Sequence, residues 1–137
     1  MEREDLGALL ARSAGRLIEA ERPLLEARGL SMWAYIVLSH LAREPAATQL
    51  ALARSIRYDK TRLIGLLDEL EAAGLLVRER DPSDRRARVV TLTAAGRSLQ
   101  AAAQADIRAM EAELLADLDP RARTQLVAAL TDLAGGR

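Results

Sequence analysis

Two clusters of cationic side chains are the first candidates for chemistry in this chain. Between positions 54 and 62 stand Arg54, Arg57, Lys60 and Arg62 against the single acid Asp59. Between 78 and 88 stand Arg78, Arg80, Arg85, Arg86 and Arg88 against Glu79, Asp81 and Asp84. Cations grouped this way suit phosphate, and arginine also suits base edges and narrow minor grooves. Asp81 and Asp84 oppose that use, although a carboxylate beside an arginine fixes the guanidinium through paired hydrogen bonds. The bland alternative is that both tracts are solvated surface.

Little else offers reaction chemistry. The absence of cysteine excludes disulfides, thiolate metal sites and thiol nucleophiles. His40 is the only histidine, so no site within one chain holds two imidazoles. A Ser-His-Asp arrangement would have to use that residue, which lies on an apolar stripe with no suitably spaced partner. No Gly-rich phosphate loop and no metal-spaced cluster occurs. The sequence therefore predicts a protein that is not an enzyme and carries no metal or cofactor.

The elements around the cations decide between these readings. From 48 to 70 two short helices are predicted, joined by a tight connection around 55–58. Thr48 caps the first and Asp59 the second, which ends at Gly74. That is the length and pattern of a helix-turn-helix. The period then changes. Two apolar pieces, 75–77 and 89–92, flank the charged tract RERDPSDRRAR, and Asp81-Pro82-Ser83-Asp84 reads as the turn of a β-hairpin with a charged tip.

Upstream, 5–27 carries one apolar stripe through Leu6, Leu9, Leu10, Leu17, Ile18 and Leu24, interrupted where Pro23 is expected to kink or restart the helix. Ser31 caps a further helix that ends before Pro45, with Trp33, Ile36, Val37, His40 and Leu41 on one face. Downstream, Thr93 caps a helix from 94 to about 118. Asp119 then caps a last one, with Pro120 in its first turn. The order is ααααββαα: a mainly α fold with a small β-hairpin wing, read as a winged helix-turn-helix flanked by extra helices at both ends.

Composition agrees. The chain has 137 residues, 27 Ala and 25 Leu among them, with no Phe and 2% aromatics, which suits helices and rules out an all-β fold. This is one domain's length. The formal net charge is zero, so cationic clustering rather than the sum would have to attract DNA. No apolar run approaches the roughly 20 residues of a membrane span. The opening MEREDLGALL does not read as a signal peptide, so a cytoplasmic protein without membrane association is expected.

Residues 48–97 resemble the winged-helix core of the MarR family of bacterial regulators. The stretches that carry the likeness are TQLALARSI, DKTRLIGLLDELEAAGLLVRER and DPSDRRARVVTLTAAGR. The last is the most specific, with Asp84-x-Arg86-Ala87 in a wing followed by Leu92-Thr93 and Gly96. The resemblance implies a single domain over 1–137, with a DNA-binding core at 30–93 and a helical dimerisation region at 1–29 and 94–137. It implies a homodimer that binds double-stranded DNA at pseudo-palindromes and represses transcription until a small ligand relieves it.

Carried over by position, Arg86 is the minor-groove arginine and Asp84 its orienting partner. Lys60, Thr61 and Arg62 lie on the recognition helix, with Arg57, Arg85 and Arg88 as further DNA-facing cations. Gly65 and Ile64 depart from the polar or basic residues that relatives often carry there. A small anionic or aromatic effector is implied, with Arg16, Trp33, Tyr35 and His40 as candidate contacts. Trp and His on an apolar helical face are equally at home in a core. A winged-helix module that binds protein and has no specific affinity for DNA is the alternative from a different class.

Overall fold

The computed structural model describes residues 2–44 and 47–135, leaving aside the side chains of Ala47 and Arg85. Six helices and three strands occur among them. They are α1 (Leu6–Glu26), α2 (Met32–Arg43), β1 (Ala47–Thr48), α3 (Gln49–Ile56), α4 (Lys60–Ala72), β2 (Leu76–Asp81), β3 (Asp84–Leu92), α5 (Ala94–Leu114) and α6 (Pro120–Leu133). Most helix starts fall where the capping residues place them. Ser31, Thr48, Asp59, Thr93 and Asp119 each accept a backbone N–H three residues on.

Several expectations need correcting. α1 is not interrupted at Pro23. The ring costs one backbone bond, to the Glu19 carbonyl, on an exposed face where water reaches that oxygen. The end of α2 needs no correction, since the helix stops at Arg43, before Pro45, which itself lies outside the described residues. α3 extends through Ile56, so the turn before α4 shrinks to 57–59. α5 stops at Leu114, because Asp119 must take extended backbone to cap α6 and the chain turns first, through Leu118 N–H to Leu115 C=O at 3.0 Å.

The charged tract is mostly strand and not loop. β2 and β3 pair antiparallel from Leu76↔Leu92 to Arg80↔Arg88, then slip, so that Asp81 faces Asp84. β1 adds a third strand to the outer side of β3, giving the order β1-β3-β2. Two residues are too few to show alternation, which is why sequence reading misses it.

The core sits where α2, α3, α4 and β3 meet. Val37, Leu38, Leu41, Leu52, Leu67 and Val90 are fully inaccessible there. α2 is turned by about one residue from the expected face. Ala34 and Leu38 lie at the centre, while Trp33 stays on the rim and is 38% exposed. α5 spans the assembly, tied to the end of α1 by the Arg28–Asp106 ion pair and to α2 by Gln100, whose amide donates to Ser39 Oγ at 3.4 Å. Arg28 holds the Asp106 carboxyl below its ordinary range. Higher along the same helices Glu21 is pushed up, by burial first and then by the charge of Glu111.

One backbone approach fixes how α5 leaves the sheet. A Cβ on Gly96 would stand 2.0 Å from the Leu75 carbonyl oxygen. Gly65, exposed on α4, has nothing within 4 Å. Gly96→Ala is therefore expected to lose roughly 2–4 kcal/mol of stability, since backbone cannot yield as a side-chain tip does. Gly65→Ala should gain about 0.5–1 kcal/mol by removing a helix-interior glycine. Urea unfolding at one fixed protein concentration checks both, and equal effects of the same sign would refute the close approach.

Candidate nucleic-acid interface

Exposed cations of the two tracts stand on and around α4 and the hairpin, while others are spread over the remaining helices. On α4, Leu63, Leu67 and Leu70 are buried. The opposite face therefore carries Thr61, Gly65 and Asp68 at i, i+4 and i+7, flanked by Arg62 and Ile64. Asp59 caps this helix by accepting the Arg62 N–H at 2.9 Å, leaving Lys60, Thr61 and Arg62 exposed around its start. An α-helix presented in this way fits a major groove with its first turn toward the bases.

The hairpin stands beside it. A groove of about 430 Å³ is lined by Thr48 of β1, Gln49 and Leu50 of α3, Lys60 of α4, and Asp81, Asp84, Arg86, Ala87 and Arg88 of the hairpin. It brings Lys60, Asp84, Arg86 and Arg88 together although up to 28 positions separate them in the chain. Arg57 lies on the turn just before α4, exposed and on the same side of Asp59 as the approach to the helix. The side chain of Arg85 lies outside what is described.

The tip is built by its carboxylates. Asp81 Oδ1 accepts from the backbone N–H and the hydroxyl of Ser83 at 2.9 and 2.8 Å, and these bonds hold its carboxyl below the ordinary range. Asp84 Oδ1 accepts the Arg86 backbone N–H at 3.0 Å. Asp84 thus meets Arg86 through the main chain, whereas the paired carboxylate–guanidinium bonds considered from the sequence do not occur among the described residues. Short side-chain acceptors compete well for nearby N–H groups in turns. Among the described residues no hydrogen bond or ion pair engages the Arg86 guanidinium, which leaves it free for a ligand.

Arg78 behaves differently from the other cations of its tract. It is turned inward, its side chain only 18% exposed, with Nε donating to Glu71 at 2.9 Å and its terminal nitrogens reaching Asp68 and Gln49. The bond from Arg78 is the main cause of a lowered Glu71 pKa, so the pair stays ionised at neutral pH. The guanidinium joins β2 to α4 and to the start of α3. Counting by two from buried Leu76 would have found it on the inner face.

The four effector candidates are not gathered in one place. Arg16 lines a cavity of about 290 Å³ with Leu10, Leu17, Leu114, Leu126 and Leu130. Trp33 stacks on Tyr58 with ring centroids 4.3 Å apart. Tyr35 packs half-buried against the core. The His40 Nε2 is buried without a hydrogen-bond partner among the described residues, 3.7 Å from Glu44 Oε2. Sequence reading missed Tyr58. Its signal was an aromatic residue immediately before a helix cap, the hydrophobic-staple position.

The sequence model of the MarR family matches residues 28–87. The HTH-type transcriptional repressor Rv2887 of Mycobacterium tuberculosis is 34% identical over 113 residues, 82% of this chain and 81% of that protein. The chain belongs to the MarR family. It shares its fold with a MarR family regulator from Rhodococcus sp. RHA1 at a TM-score of 0.86 and 32% identity, covering 97% of this chain and 94% of that one. Rv2887 has been solved in complex with DNA, and matches with a TM-score of 0.82 at 29% identity over 96% and 98% of the two chains. CouR of Rhodococcus jostii RHA1, solved with p-coumaroyl-CoA bound, matches at 0.79 and 30% identity over 96% and 92%. Membership makes this chain a winged-helix transcriptional regulator, and among its described residues no helix is long and apolar enough to cross a membrane.

Arg78 is already neutralised within the fold, so it should act on DNA affinity without contributing to its salt dependence. Arg78→Gln is expected to lower the thermal midpoint and weaken duplex binding, while the slope of log affinity against log salt stays at the wild-type value. Fluorescence anisotropy at three or more salt concentrations measures this. A shallower slope would show that Arg78 meets phosphate after all.

Proposed function

We propose that this regulator is a homodimeric repressor that grips a two-fold DNA operator through α4 and the hairpin, and that a small effector releases it. The observation that carries the reading is the groove that joins Lys60 to Arg86 and Arg88 beside the exposed start of α4. Lys60, Thr61 and Arg62 then face the major groove. Arg86, with Arg85 and Arg88 near it, reaches the adjacent minor groove, where a narrow A·T-rich segment attracts arginine. Asp84 holds the tip in shape. Binding, not catalysis, is the activity, and the cytoplasm is where it acts.

In this reading residues 30–93 form the DNA-binding core, while 1–29 and 94–137 make the dimer. The state of α6 supports this. No residue of α6 is buried, and it leans only weakly on the rest of the chain. Leu126, Val127, Leu130 and Leu133 are 37%, 59%, 39% and 66% exposed, and Leu6 and Leu10 of α1 are open too. An apolar stripe of this kind is costly in water and matches what a second copy would cover. Two recognition helices then stand about one helical turn apart on DNA, near 34 Å.

The effector reading rests on the cavity at Arg16, which shares Leu10, Leu126, Val127 and Leu130 with that stripe and would therefore lie at the edge of the dimer contact. Its mainly apolar lining suits an aromatic or aliphatic body, and the Arg16 guanidinium suits an anionic group that would have to keep clear of the Glu111 carboxylate in the same lining. Trp33, Tyr35 and His40 do not line it. CouR, solved with p-coumaroyl-CoA, is a relative with a ligand of that general character. An effector releases DNA only if it binds the DNA-incompetent helix arrangement more tightly.

Selection of duplexes from a random pool tests the whole reading. Enrichment of a two-fold sequence with half-sites about 10 bp apart is expected, with affinity falling steeply as salt rises. An intact dimer, refolded free of small molecules, that enriches nothing would leave a protein-binding module in its place. On the selected operator, Arg86→Ala should weaken binding at least tenfold and change base preference in the major groove little. Unchanged affinity would remove the wing from the interface. Val127→Asp with Leu130→Asp, both at exposed positions, should give a folded monomer by sedimentation equilibrium. A persisting dimer would move the interface off α6.

A further inference from the structure

Arg57 is the one residue other than glycine with a positive φ among the described residues, at φ 54° and ψ 48°. The local bonding explains why the chain needs that conformation. The Tyr58 N–H donates to the Ala53 carbonyl at 3.0 Å and the Arg57 N–H to the Arg54 carbonyl at 3.3 Å, the paired closure by which a helix ends on a left-handed residue. This closure swings Tyr58 back onto Trp33 and sets Asp59 to cap α4. Glycine fits such a position without strain, and asparagine tolerates it. A long β-carbon-bearing cation does not gain from it.

Inside the fold the arginine has only the general reward of a cation at the end of α3, a small and screened one at an exposed position. Its side chain is exposed, and among the described residues its guanidinium makes no hydrogen bond or ion pair. No specific partner within the chain accounts for it. Strained backbone retained at one position is a pointer to function when the side chain it carries has no structural use. The turn stands one step before α4. On the operator-binding reading, a cation there would lie toward the DNA backbone that flanks the groove and away from the base edges.

We propose that Arg57 is a sequence-independent phosphate clamp, kept at the left-handed turn at a cost in stability because its charge anchors α4 to the DNA backbone. This rests on the operator-binding reading above. It adds that the clamp contributes affinity and salt dependence but no base preference, and that stability and binding are opposed at this single residue.

The test compares Arg57→Gly, Arg57→Asn and Arg57→Lys in the full-length protein with wild type and Arg86→Ala. Arg57→Gly should raise the thermal midpoint by roughly 2–4 °C, with Arg57→Asn between it and wild type. Both should bind the selected operator and an unrelated duplex more weakly by a similar factor. Each neutralised phosphate adds about 0.9 to the slope of log affinity against log salt, so a dimer losing two clamps loses about 1.8. Between 50 and 200 mM salt, wild-type affinity should then fall about twelvefold further than that of Arg57→Gly. Arg57→Lys should keep the wild-type slope.

An unaltered slope in Arg57→Gly overturns the clamp, whether affinity is unchanged or falls through loosening of the turn. If Arg86→Ala weakens binding while Arg57→Gly does not, the clamp alone fails and the operator reading stands. If wild type binds no duplex in a salt-dependent way, both fail together.

Discussion

The geometry of the molecule depends on one knot of hydrogen bonds around Thr93. Its hydroxyl donates to the Gly74 carbonyl at 2.7 Å and accepts the Gly96 N–H at 3.0 Å, while its own N–H donates to the Leu75 carbonyl at 3.1 Å. Four elements are pinned by that single residue: the end of α4, the start of β2, the end of β3 and the start of α5. The approach of Gly96 to Leu75 leaves no room for a methyl group, so the joint has little freedom to hinge. The recognition helix and the hairpin are thereby held as one body at the root of the long helix.

A second division concerns charge. A formal net charge of zero says nothing of where field is available. Arg78 spends its charge internally on Asp68 and Glu71, and Arg28 on Asp106. Asp81 and Asp84, which look unfavourable for an anion-binding tip, are occupied as acceptors of local N–H groups. Lys60, Arg86 and Arg88 are left around a common groove. Local bonding thus aims the two carboxylates at the tip's own backbone while their charge remains, and it leaves the cationic groups of the groove without a partner among the described residues, so that placement more than the total sets attraction for a polyanion.

The sequence was most legible where one residue decides the backbone. Ser31, Thr48, Asp59, Thr93 and Asp119 each mark a helix start because a short oxygen-bearing side chain reaches the free N–H three residues on. Gly74, at φ 78°, marks the stop of α4 for a similar local reason. What was not legible needs partners distant in the chain. β1 exists because Ala47 and Thr48 find Val90 and Val89, some forty residues on. Arg78 reads as one more cation until the pleat turns it toward Glu71. α5 was expected to run to about 118 on apolar spacing alone, which carries no information about the turn that α6 imposes. The site was legible in its residue types and in Lys60, Arg86 and Arg88 falling together, but the role of Asp84 depended on which atom of Arg86 it meets.

The knot also constrains how an effector could act on DNA. If the head moves as one body with the root of α5, a ligand cannot loosen the wing alone, and in the proposed dimer it would work by changing the angle at which α5 leaves the partner. The cavity at Arg16 lies between α1, the far end of α5 and α6, the elements that the proposed dimer would use. α5 is 21 residues long, about 30 Å at 1.5 Å per residue, so a tilt of a few degrees at one end is a displacement of ångströms at the other. Two heads tilted in opposite senses add those displacements along the DNA axis. A spacing that must match one helical turn loses contacts in both half-sites at once, which makes release cooperative without any change inside the DNA-binding core.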